Sequence, residues 1–418
     1  STANMSTTTP TGEASVQELT NQEFIYHSDQ VDPNGDDAGE REELSRGQII
    51  MDVVKSLRSG KDLYRISLPA ALLRPVSMLE YVTLFAQPHQ FLVDCATYED
   101  PEQRLLSVVK WWISNMSQIP KKGIMGAKPY NAVLGEIFTC KFIHKDSKTH
   151  YLAEQVSHHP PITSAYLTNR KKNFALKTTL KPKSKFHGNS ASTILEGEIV
   201  FQLLNFKEQY HITFPHVVAT GLIWGSQGLE INDIMKVKCQ KTGLLAKIEF
   251  KSKSNNELRG SVKKGENRLY KFSGSITDKV MIKNMKTNNV SEFMDVATID
   301  KSPKYVKPVI KQDHNESRRV WHKVSYSLNK AKYSDANVHK NVVEEAQRAI
   351  RKEREESKIE HKPRYFVSEG EEWRCIFENV KEYSPDEEDL DNVVDKFAVD
   401  DDERAFIKKY APDSVFNI

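Results

Sequence analysis

The sequence predicts a mainly β fold with flanking helices, built on one large antiparallel sheet or barrel. Turn-forming residues such as Lys241-Thr242-Gly243 and Asn255-Asn256 alternate with short strand-like runs. Helical periodicity is confined to the flanks of this region, before position 130 and after position 315. Many short strands at this spacing are typical of a single large sheet or barrel. The strand-like runs, in which apolar and polar residues alternate, are 151–157, 198–206, 209–214, 244–250 and 268–276.

The composition, the lack of recognisable targeting signals and the cysteine spacing limit the classes of protein to which the sequence can belong. Of 418 residues, 38% are hydrophobic and 28% are charged, which fits a water-soluble globular protein. No run approaches the roughly 20 apolar residues of a membrane span, and the most apolar stretch, 105–113, is interrupted by Lys110. No secretory signal is recognisable. The four cysteines lie far apart, which excludes a CxxC motif and predicts reduced thiols in a cytosolic protein.

The balanced net charge of +3 hides a strong segregation along the chain. Residues 1–45 and 386–403 each carry ten acidic side chains and one basic side chain, a net charge of −9 apiece. With +2 on residues 404–418, the body of the chain, 46–385, is left with +19. Such a body favours an anionic partner, which charge alone leaves open among nucleic acid, a membrane surface and a phosphorylated ligand; an ordinary lysine-rich surface is also compatible.

The N-terminal region divides into a tail and a short helix. Residues 1–44 are polar and acidic without apolar periodicity, and we predict a disordered tail. Within it, 23–29 faintly resembles the acidic phenylalanine motif that tethers proteins to the endoplasmic reticulum. In 45–62, apolar residues at 49, 50, 53, 54 and 57 form one helical stripe before Gly60. This segment is either a core helix or a movable lid, and we predict the lid.

Two further helical regions flank the predicted sheet. Asp100 can cap a helix in which Pro101 occupies the first turn, and the helix continues to about 116; of its tandem Trp111-Trp112, one is expected to be partly exposed. After position 315, apolar residues at 320, 324 and 328 and then at 338, 342, 346 and 349 predict helices. Residues 63–385 are therefore predicted to form one domain, followed by an acidic tail, 386–418.

The run E-Q-V-S-H-H-P-P at 154–161 is the sharpest local feature. His158 and His159 end a strand-like run, and the prolines predict an extended exit. As adjacent strand residues the two imidazoles point to opposite faces, and no further ligand follows at a familiar spacing, which argues against a metal site. Near lysines they could donate to a phosphate. A structural pair with satisfied hydrogen bonds explains the residues equally well.

Two other segments carry candidate anion ligands. Lys128 and Asn131, in the run K-P-Y-N-A-V-L-G-E at 128–136, could both donate to an anion, although such loop residues are usually solvated. Lys340, Glu344 and Arg348 are spaced by four and form one polar stripe on a helix. An exposed stripe of ion pairs, stabilising a helix by about 0.3–0.5 kcal/mol per pair, accounts for that spacing without a ligand.

Together these motifs resemble the oxysterol-binding-protein-related lipid-transfer proteins. The 154–161 run matches that family's signature, and 128–136 is similar to its K-P-x-N-P-x-L-G-E, with Ala132 where proline is usual. Segments 68–69, 77–80, 181–190 and 344–348 match further motifs, so the resemblance covers roughly 45–380. With only a short tail before it, the sequence looks like a short member or an excised ligand domain.

The resemblance implies a large, near-complete antiparallel β-barrel enclosing a lipid tunnel, with an N-terminal lid and C-terminal helices. It implies a non-vesicular lipid-transfer protein of the cytoplasm that acts peripherally on membranes, without enzymatic activity, cofactor or metal, at contacts between the endoplasmic reticulum and other membranes. The implied ligands of the phosphatidylinositol 4-phosphate headgroup are Lys128, Asn131, His158, His159, Lys340, Glu344 and Arg348.

The second lipid is expected to be phosphatidylserine, with sterol exchange or sterol sensing as the alternative. In family members that carry phosphatidylserine, Ile66, Leu68 and Ala70 correspond to positions that touch it, and Ala70 stands where threonine is frequent. Lys183 and Ser184 lie in the P-K-S segment that those members share.

Two other functional classes were weighed against lipid transfer. A phosphoinositide-processing enzyme using His158 or His159 is disfavoured because the chain has no GxxxxGK[ST], no HExxH and no nucleophile motif. Nucleic-acid binding rests on basic charge alone, without an RNA-recognition or zinc-finger pattern. We therefore expect membrane lipids and anionic membrane surfaces as partners, and no nucleic acid.

Overall fold

The computed structural model describes residues 68–87, 90–117, 128–187, 189–220, 228–251, 256–299, 302 and 304–378, together with the backbone of 25–27. In these ranges the helices are α1 (Met78–Phe85), α2 (Gln90–Val93), α3 (Pro101–Met116), α4 (Ser317–Val320), α5 (His322–Asn329) and α6 (Tyr333–Ser357). The strands are β1 (Ile25–His27), β2 (Leu73–Ser77), β3 (Lys128–Tyr130), β4 (Ile137–Ile143), β5 (Lys148–His158), β6 (Pro161–Asn169), β7 (Phe174–Phe186), β8 (Ser190–Glu196), β9 (Glu198–Leu203), β10 (Glu208–Thr213), β11 (His216–Thr220), β12 (Gly228–Asn232), β13 (Ile234–Cys239), β14 (Leu244–Lys251), β15 (Glu257–Lys264), β16 (Asn267–Ser275), β17 (Lys279–Asn284), β18 (Val290–Asp295), β19 (Lys304–Val306), β20 (Phe366–Glu369) and β21 (Glu372–Cys375).

One antiparallel sheet dominates the molecule and curves into a near-complete barrel, as the sequence predicts. Its hydrogen-bonded order runs from β1 through β19, β4, β5, β6, β7, β9, β10, β13, β14, β15, β16 and β17 to β18. The long strand β7 also pairs with β8, from which β11 and β12 continue the sheet. Most neighbours in the sheet are also neighbours in sequence, and short turns suffice to connect those pairs.

Strand alternation sorts side chains between the interior and the surface. In β13, Met235, Val237 and Cys239 point into the core, whereas Lys236 and Lys238 are exposed. The predicted turns lie where expected, with positive φ at Gly243 (+71°) and at Asn256 (+59°), residue types that tolerate the left-handed region.

Helix α3 packs into the main hydrophobic core beside the sheet. Asp100 caps it by accepting a hydrogen bond from the backbone N–H of Glu102 at 3.0 Å, and Pro101 is its first residue, which confirms the predicted start. The prediction that one tryptophan is partly exposed is wrong, because Trp111 and Trp112 are both fully buried. The helix packs against the strands β13, β14 and β18 and against the helices α1 and α2. Neither tryptophan therefore faces solvent.

The C-terminal helices pack outside the barrel against β2 and the 3₁₀ turn Ala70–Leu72. Val320 and Val324 are buried, whereas Val338 and Val342, which belong to the apolar stripe seen in the sequence, are 58% and 39% exposed. The buried face instead carries Ala336, Lys340, Val343, Ala346 and Ile350. Helical spacing gives the period of an apolar stripe, but it does not tell which of two competing stripes faces the core. In α6 the stripe that contains Lys340 faces the core.

Several predicted segments fall outside the described residues. They are the lid at 45–62, Ile66, the acidic tail at 386–418 and most of the tail at 1–44. Within that last segment, β1 pairs in antiparallel register with β19, Tyr26 opposite Tyr305. In the described part of the chain, no helix is long and apolar enough to cross a membrane.

Candidate functional site

Lys128 stands at the start of β3, which pairs in parallel with β2, Lys128 opposite Leu73. Its ammonium has no hydrogen bond and no ion pair to any residue that the structure describes. Burial and, secondarily, the positive charge of Lys340 lower the pKa of Lys128 to about 8. The positive charge of Lys128 is therefore not neutralised by any side chain that the structure describes.

Lys340, Glu344 and Arg348 project from three successive turns of α6. Lys340 Nζ lies 2.6 Å from Glu344 Oε1, and Arg348 Nη1 lies 4.0 Å from Glu344 Oε2. The Lys340 side chain is 7% exposed and that of Arg348 is 56% exposed. Glu344 therefore pairs with the buried Lys340 and lies near the exposed Arg348. The spacing alone suggests a fully solvated stripe, but in the structure only part of the stripe is solvated.

The two histidines occupy a tight turn. His158 ends β5 opposite Pro161, which begins β6, and Ser157 Oγ donates to the Pro160 carbonyl at 2.7 Å. The predicted extended exit is therefore wrong: the strand reverses into a hairpin, and the serine hydroxyl satisfies a carbonyl that the turn leaves unpaired. The imidazole rings of His158 and His159 are edge to face, with centroids 4.6 Å apart.

The hydrogen bonding of His158 fixes its tautomer. Its Nδ1 lies 3.0 Å from the carbonyl oxygen of Ala132, which can only accept, so Nδ1 carries a proton. Burial is the main cause that lowers the pKa of His158. The neighbouring His159 and Arg351 lower it further, whereas the Ala132 carbonyl and Glu344 raise it. The neutral ring therefore presents the lone pair of Nε2, and it must take up a proton before Nε2 can donate to an anion.

These contacts bring three separated segments of the chain together. Lys128 interacts electrostatically with Lys340, and His158 interacts with both Glu344 and Arg351. Exposed Asn131 is the neighbour of Ala132, to which His158 is bonded. The hairpin end of β5, the 128–136 segment and α6 thus share one charged surface, which we call the headgroup cluster. Its members are Lys128, Asn131, His158, His159, Lys340, Glu344, Arg348 and Arg351.

Arg351 was missed by the sequence reasoning. It follows Arg348 by three residues and so extends the same helical stripe by one turn, which was the available signal. Its guanidinium is half exposed and lies 3.7 Å from Glu355.

Glu136 holds the 128–136 segment in place and was also missed. Its carboxylate is fully buried and accepts hydrogen bonds from Ser77 Oγ, from the Val133 N–H at 2.9 Å, from Ser317 Oγ at 2.7 Å and from Trp321 Nε1 at 3.0 Å. Burial raises the pKa of Glu136, and these bonds partly oppose the rise. The carboxylate thereby joins β2 and α4 to the segment that carries Lys128 and Asn131.

Glu154 plays the corresponding role in the 154–161 run. It is 1% exposed and accepts hydrogen bonds from the backbone N–H groups of Arg364 and Tyr365, both at 2.8 Å. It therefore fastens the strand that ends in the histidines to the C-terminal hairpin formed by β20 and β21.

The predicted second-lipid residues are distributed differently. Leu68 and Ala70 pack in the cluster formed with α5 and α6, and the Ala70 N–H donates to Asn337 Oδ1 at 2.8 Å. Lys183 and Ser184, adjacent in β7, point to opposite faces: Lys183 is exposed and pairs with Glu196 at 2.6 Å, whereas Ser184 is buried and lies 3.0 Å from Thr193 Oγ1. Among the described contacts, none joins this pair to the headgroup cluster.

The side-chain chemistry of the headgroup cluster indicates the kind of ligand it can hold. No group of three or more His, Cys, Asp or Glu side chains in the described ranges lies close enough to hold a metal ion. The side chains present are mainly cations and hydrogen-bond donors, which suit an anion.

The comparisons with known proteins agree with the fold. The family model described as Oxysterol-binding protein matches residues 51–333 and 326–388. Oxysterol-binding protein-related protein 8 of Mus musculus is 36% identical over 351 residues, 81% of this chain and 39% of that protein. The chain belongs to the oxysterol-binding protein family. Oxysterol-binding protein 4 of Dictyostelium discoideum is 33% identical over 357 residues, 81% of this chain and 76% of that protein.

Solved structures of the same family share the fold. The Osh1 ORD domain in complex with ergosterol superposes with a TM-score of 0.65 at 25% identity, covering 81% of this chain and 88% of that chain. The Osh3 ORD in complex with PI(4)P from Saccharomyces cerevisiae gives a TM-score of 0.61 at 19% identity, covering 76% and 87%. This family member spans about two fifths of the length of its mouse relative.

Proposed function

We propose that the protein extracts phosphatidylinositol 4-phosphate from one membrane and exchanges it for a second lipid, phosphatidylserine, at another. The headgroup cluster would bind the phosphorylated inositol. The protein would act in the cytoplasm as a peripheral membrane protein, at contacts of the endoplasmic reticulum, with 23–29 as a weak tethering segment.

The observation that carries the headgroup assignment is the unneutralised charge of Lys128. Its pKa of about 8 shows what burial beside Lys340 costs the charged form. Unpaired buried charge is unfavourable unless a ligand supplies the counter-charge. A phosphate monoester carries about two negative charges and three strong acceptor oxygens, which matches a cluster in which Lys128, Lys340, Arg348 and Arg351 outnumber Glu344.

The physics of lipid exchange places the selectivity in that cluster. Removing an acyl chain from water gains about 0.8 kcal/mol per CH₂, but a bilayer is already apolar, so moving the chain from a bilayer into a protein tunnel is nearly neutral. Headgroup contacts must then decide which lipid is taken. Charge-assisted hydrogen bonds to phosphate are among the strongest available and supply that discrimination.

Replacing both histidines tests the assignment directly. The His158→Ala/His159→Ala double variant should lose extraction of phosphatidylinositol 4-phosphate from liposomes while keeping the circular dichroism of the wild type. His211→Ala/His216→Ala is the matched control, because both histidines lie on the sheet exterior in contact with Glu198 and Asp233. Unchanged extraction by the folded His158/His159 variant would overturn the assignment.

Phosphatidylserine is proposed as the second lipid on grounds of polarity. Its headgroup carries phosphate, ammonium and carboxylate groups, each of which needs a partner once out of water. If both lipids use Lys128 and Asn131 for phosphate, they exclude each other, and counter-exchange follows. Of the two β7 residues proposed for this lipid, Ser184 is buried and would contact the ligand from inside the sheet, whereas the exposed Lys183 would have to act from the outer face.

Sterol remains the second candidate, because the related Osh1 ORD domain has been solved in complex with ergosterol. Transfer assays separate the two. Transfer of fluorescent phosphatidylserine should accelerate when acceptor liposomes contain phosphatidylinositol 4-phosphate. A protein that moves a fluorescent sterol under the same conditions and ignores phosphatidylserine would refute the first choice.

The predicted lid at 45–62 completes the proposal. Closing it would cover apolar surface during transit, and opening it at a membrane would release the cargo. Removal of 1–60 should leave a folded barrel that binds membranes more tightly and transfers lipid poorly. Unfolding of the shortened chain would instead make this segment part of the core.

We also propose that the protein is not an enzyme. The headgroup cluster contains no cysteine or serine nucleophile beside a base, and His158 donates its Nδ1 proton to a backbone carbonyl rather than to a carboxylate. Release of inorganic phosphate during incubation with phosphatidylinositol 4-phosphate would contradict this.

A further inference from the structure

A second cavity lies away from the headgroup cluster, between α3 and the strands β16, β17 and β18. Its volume is about 370 Å³, within the range of pockets that hold small molecules. Residues of α3, of the α2 region and of the β17–β18 hairpin line it, among them Phe91, Gln103, Lys110, Asn284, Ser291 and Phe293.

Lys110 is the unusual residue of this cavity. It interrupts the most apolar stretch of the sequence, and its neighbours Val109 and Trp111 are fully buried. Its Nζ lies 5.1 Å from the ring centroid of Phe91 and 5.0 Å from that of Phe293. The two rings hold the ammonium by cation–π contact but offer no lone pair to its three N–H donors.

Among the residues that the structure describes, no acidic side chain forms an ion pair with Lys110. Its ammonium has neither an ion pair nor a hydrogen bond within the described part of the chain. The carboxylate that influences it, Glu292, is bonded to Lys279 at 2.8 Å. Partial burial lowers the pKa of Lys110, so the site holds a cation at some cost.

The polar groups around Lys110 include donors with spare capacity. Asn284 Oδ1 already accepts from the backbone N–H groups of Lys286 and Thr287 at 2.9 and 3.1 Å, which leaves its amide N–H₂ group as the part able to bind a ligand. The one carboxylate that lines the cavity, Asp94, accepts from Gln90 Nε2 at 2.8 Å.

We propose that this cavity binds a small organic anion, with a carboxylate or phosphate group on Lys110 and the Asn284 amide. The anion would satisfy the ammonium donors that the two phenylalanines leave free. The site is separate from the headgroup cluster, so the proposal stands or falls independently of lipid exchange.

Calorimetric titration of the full chain tests it with three probes: inorganic phosphate, glycerol 3-phosphate and citrate. We expect one equivalent of at least one probe to bind, and the pattern distinguishes a phosphate from a carboxylate ligand. Lys110→Met should weaken binding at least tenfold, since methionine keeps the apolar stem between two aromatic rings and removes the charge. Because the headgroup cluster is itself proposed to bind phosphate, each titration is repeated with Lys128→Met, in which one equivalent of probe should still bind at the second cavity.

A steric variant guards against an indirect effect of Lys110→Met. Ser291→Phe keeps Lys110 and fills the cavity from its exposed rim, so it should also abolish probe binding while thermal unfolding stays cooperative. The proposal fails if no probe binds the wild type at millimolar concentration. It also fails if Lys128→Met removes the binding and Lys110→Met does not.

Discussion

Replacement of Lys128 by methionine should stabilise the unliganded protein while abolishing headgroup binding. Burial and Lys340 hold the pKa of Lys128 at about 8, against 10.5 for an ordinary lysine. At pH 7 the side chain is charged in both the folded and the unfolded chain, so this difference corresponds to a cost of at most about 3 kcal/mol. Since Lys128 is not wholly shielded from solvent, we expect the variant to gain on the order of 1–3 kcal/mol.

The pH dependence of that gain identifies its cause. A group whose folded-state pKa lies below its unfolded-state pKa destabilises the fold while it is charged. The cost is complete below about pH 8 and disappears as pH rises toward 10.5. Urea unfolding should therefore show a gap between Lys128→Met and the wild type at pH 7 that closes by about pH 10.

Lys183→Met is the matched control for Lys128→Met. Lys183 is 59% exposed and pairs with Glu196 at the surface, so its loss should change the free energy of unfolding by less than about 0.5 kcal/mol at either pH. If Lys128→Met is less stable than the wild type, or if its gap does not change with pH, the ammonium is not an uncompensated charge. The argument for a phosphate ligand would then lose its main support.

Three further predictions concern the same surface. Affinity for liposomal phosphatidylinositol 4-phosphate should rise as pH falls from about 7 to 5, because burial lowers the pKa of His158 and the ring must gain a proton to donate from Nε2; a flat pH profile in flotation assays would contradict this. Glu136→Ala should lower the free energy of unfolding by about 2–6 kcal/mol, because it leaves two buried N–H donors unpaired, with Glu136→Gln less severe; denaturant titration measures both, and equal losses would count against the hydrogen-bond account. Arg351→Ala should weaken headgroup binding severalfold, whereas exposed Lys352→Ala should not; equal effects would reduce Arg351 to general surface charge.

The fold was largely predictable because strand and turn signals are local. Alternation in β10 places Tyr210 and Ile212 inward whatever the partner strands are, and the turn at Gly243 needs only a residue that tolerates positive φ. The complete burial of Trp111 and Trp112 was not predictable, because it requires knowing that sheet and helices surround α3 from several directions.

Most residues of the headgroup cluster could be named from sequence motifs, but Arg351 and the residues that hold the cluster in place could not. Lys128, His158 and Lys340 lie in motifs that resemble a known family, and the structure brings them onto one surface. The hydrogen bonds that hold this surface, above all those of Glu136, join residues up to 185 positions apart, and no local pattern reveals such pairings. The burial of Lys340 was hidden for the same reason, since it depends on which face of α6 meets the rest of the protein.

The positive charge of the body divides into two arrangements with different consequences. On the outer face of the sheet, lysines stand in one row across five strands: Lys236 is opposite Lys247, Ser261 separates Lys247 from Lys271, and Lys271 is opposite Lys283. Like charges directly opposite each other do not stabilise a sheet, so this row is better explained by attraction to an anionic surface, which salt screens within about 10 Å. The headgroup cluster is partly buried and screened much less. Under the proposed function, we expect the outer row to bring the protein to a membrane without distinguishing its lipids and the cluster to select the headgroup, so raising the salt concentration should weaken the first step far more than the second.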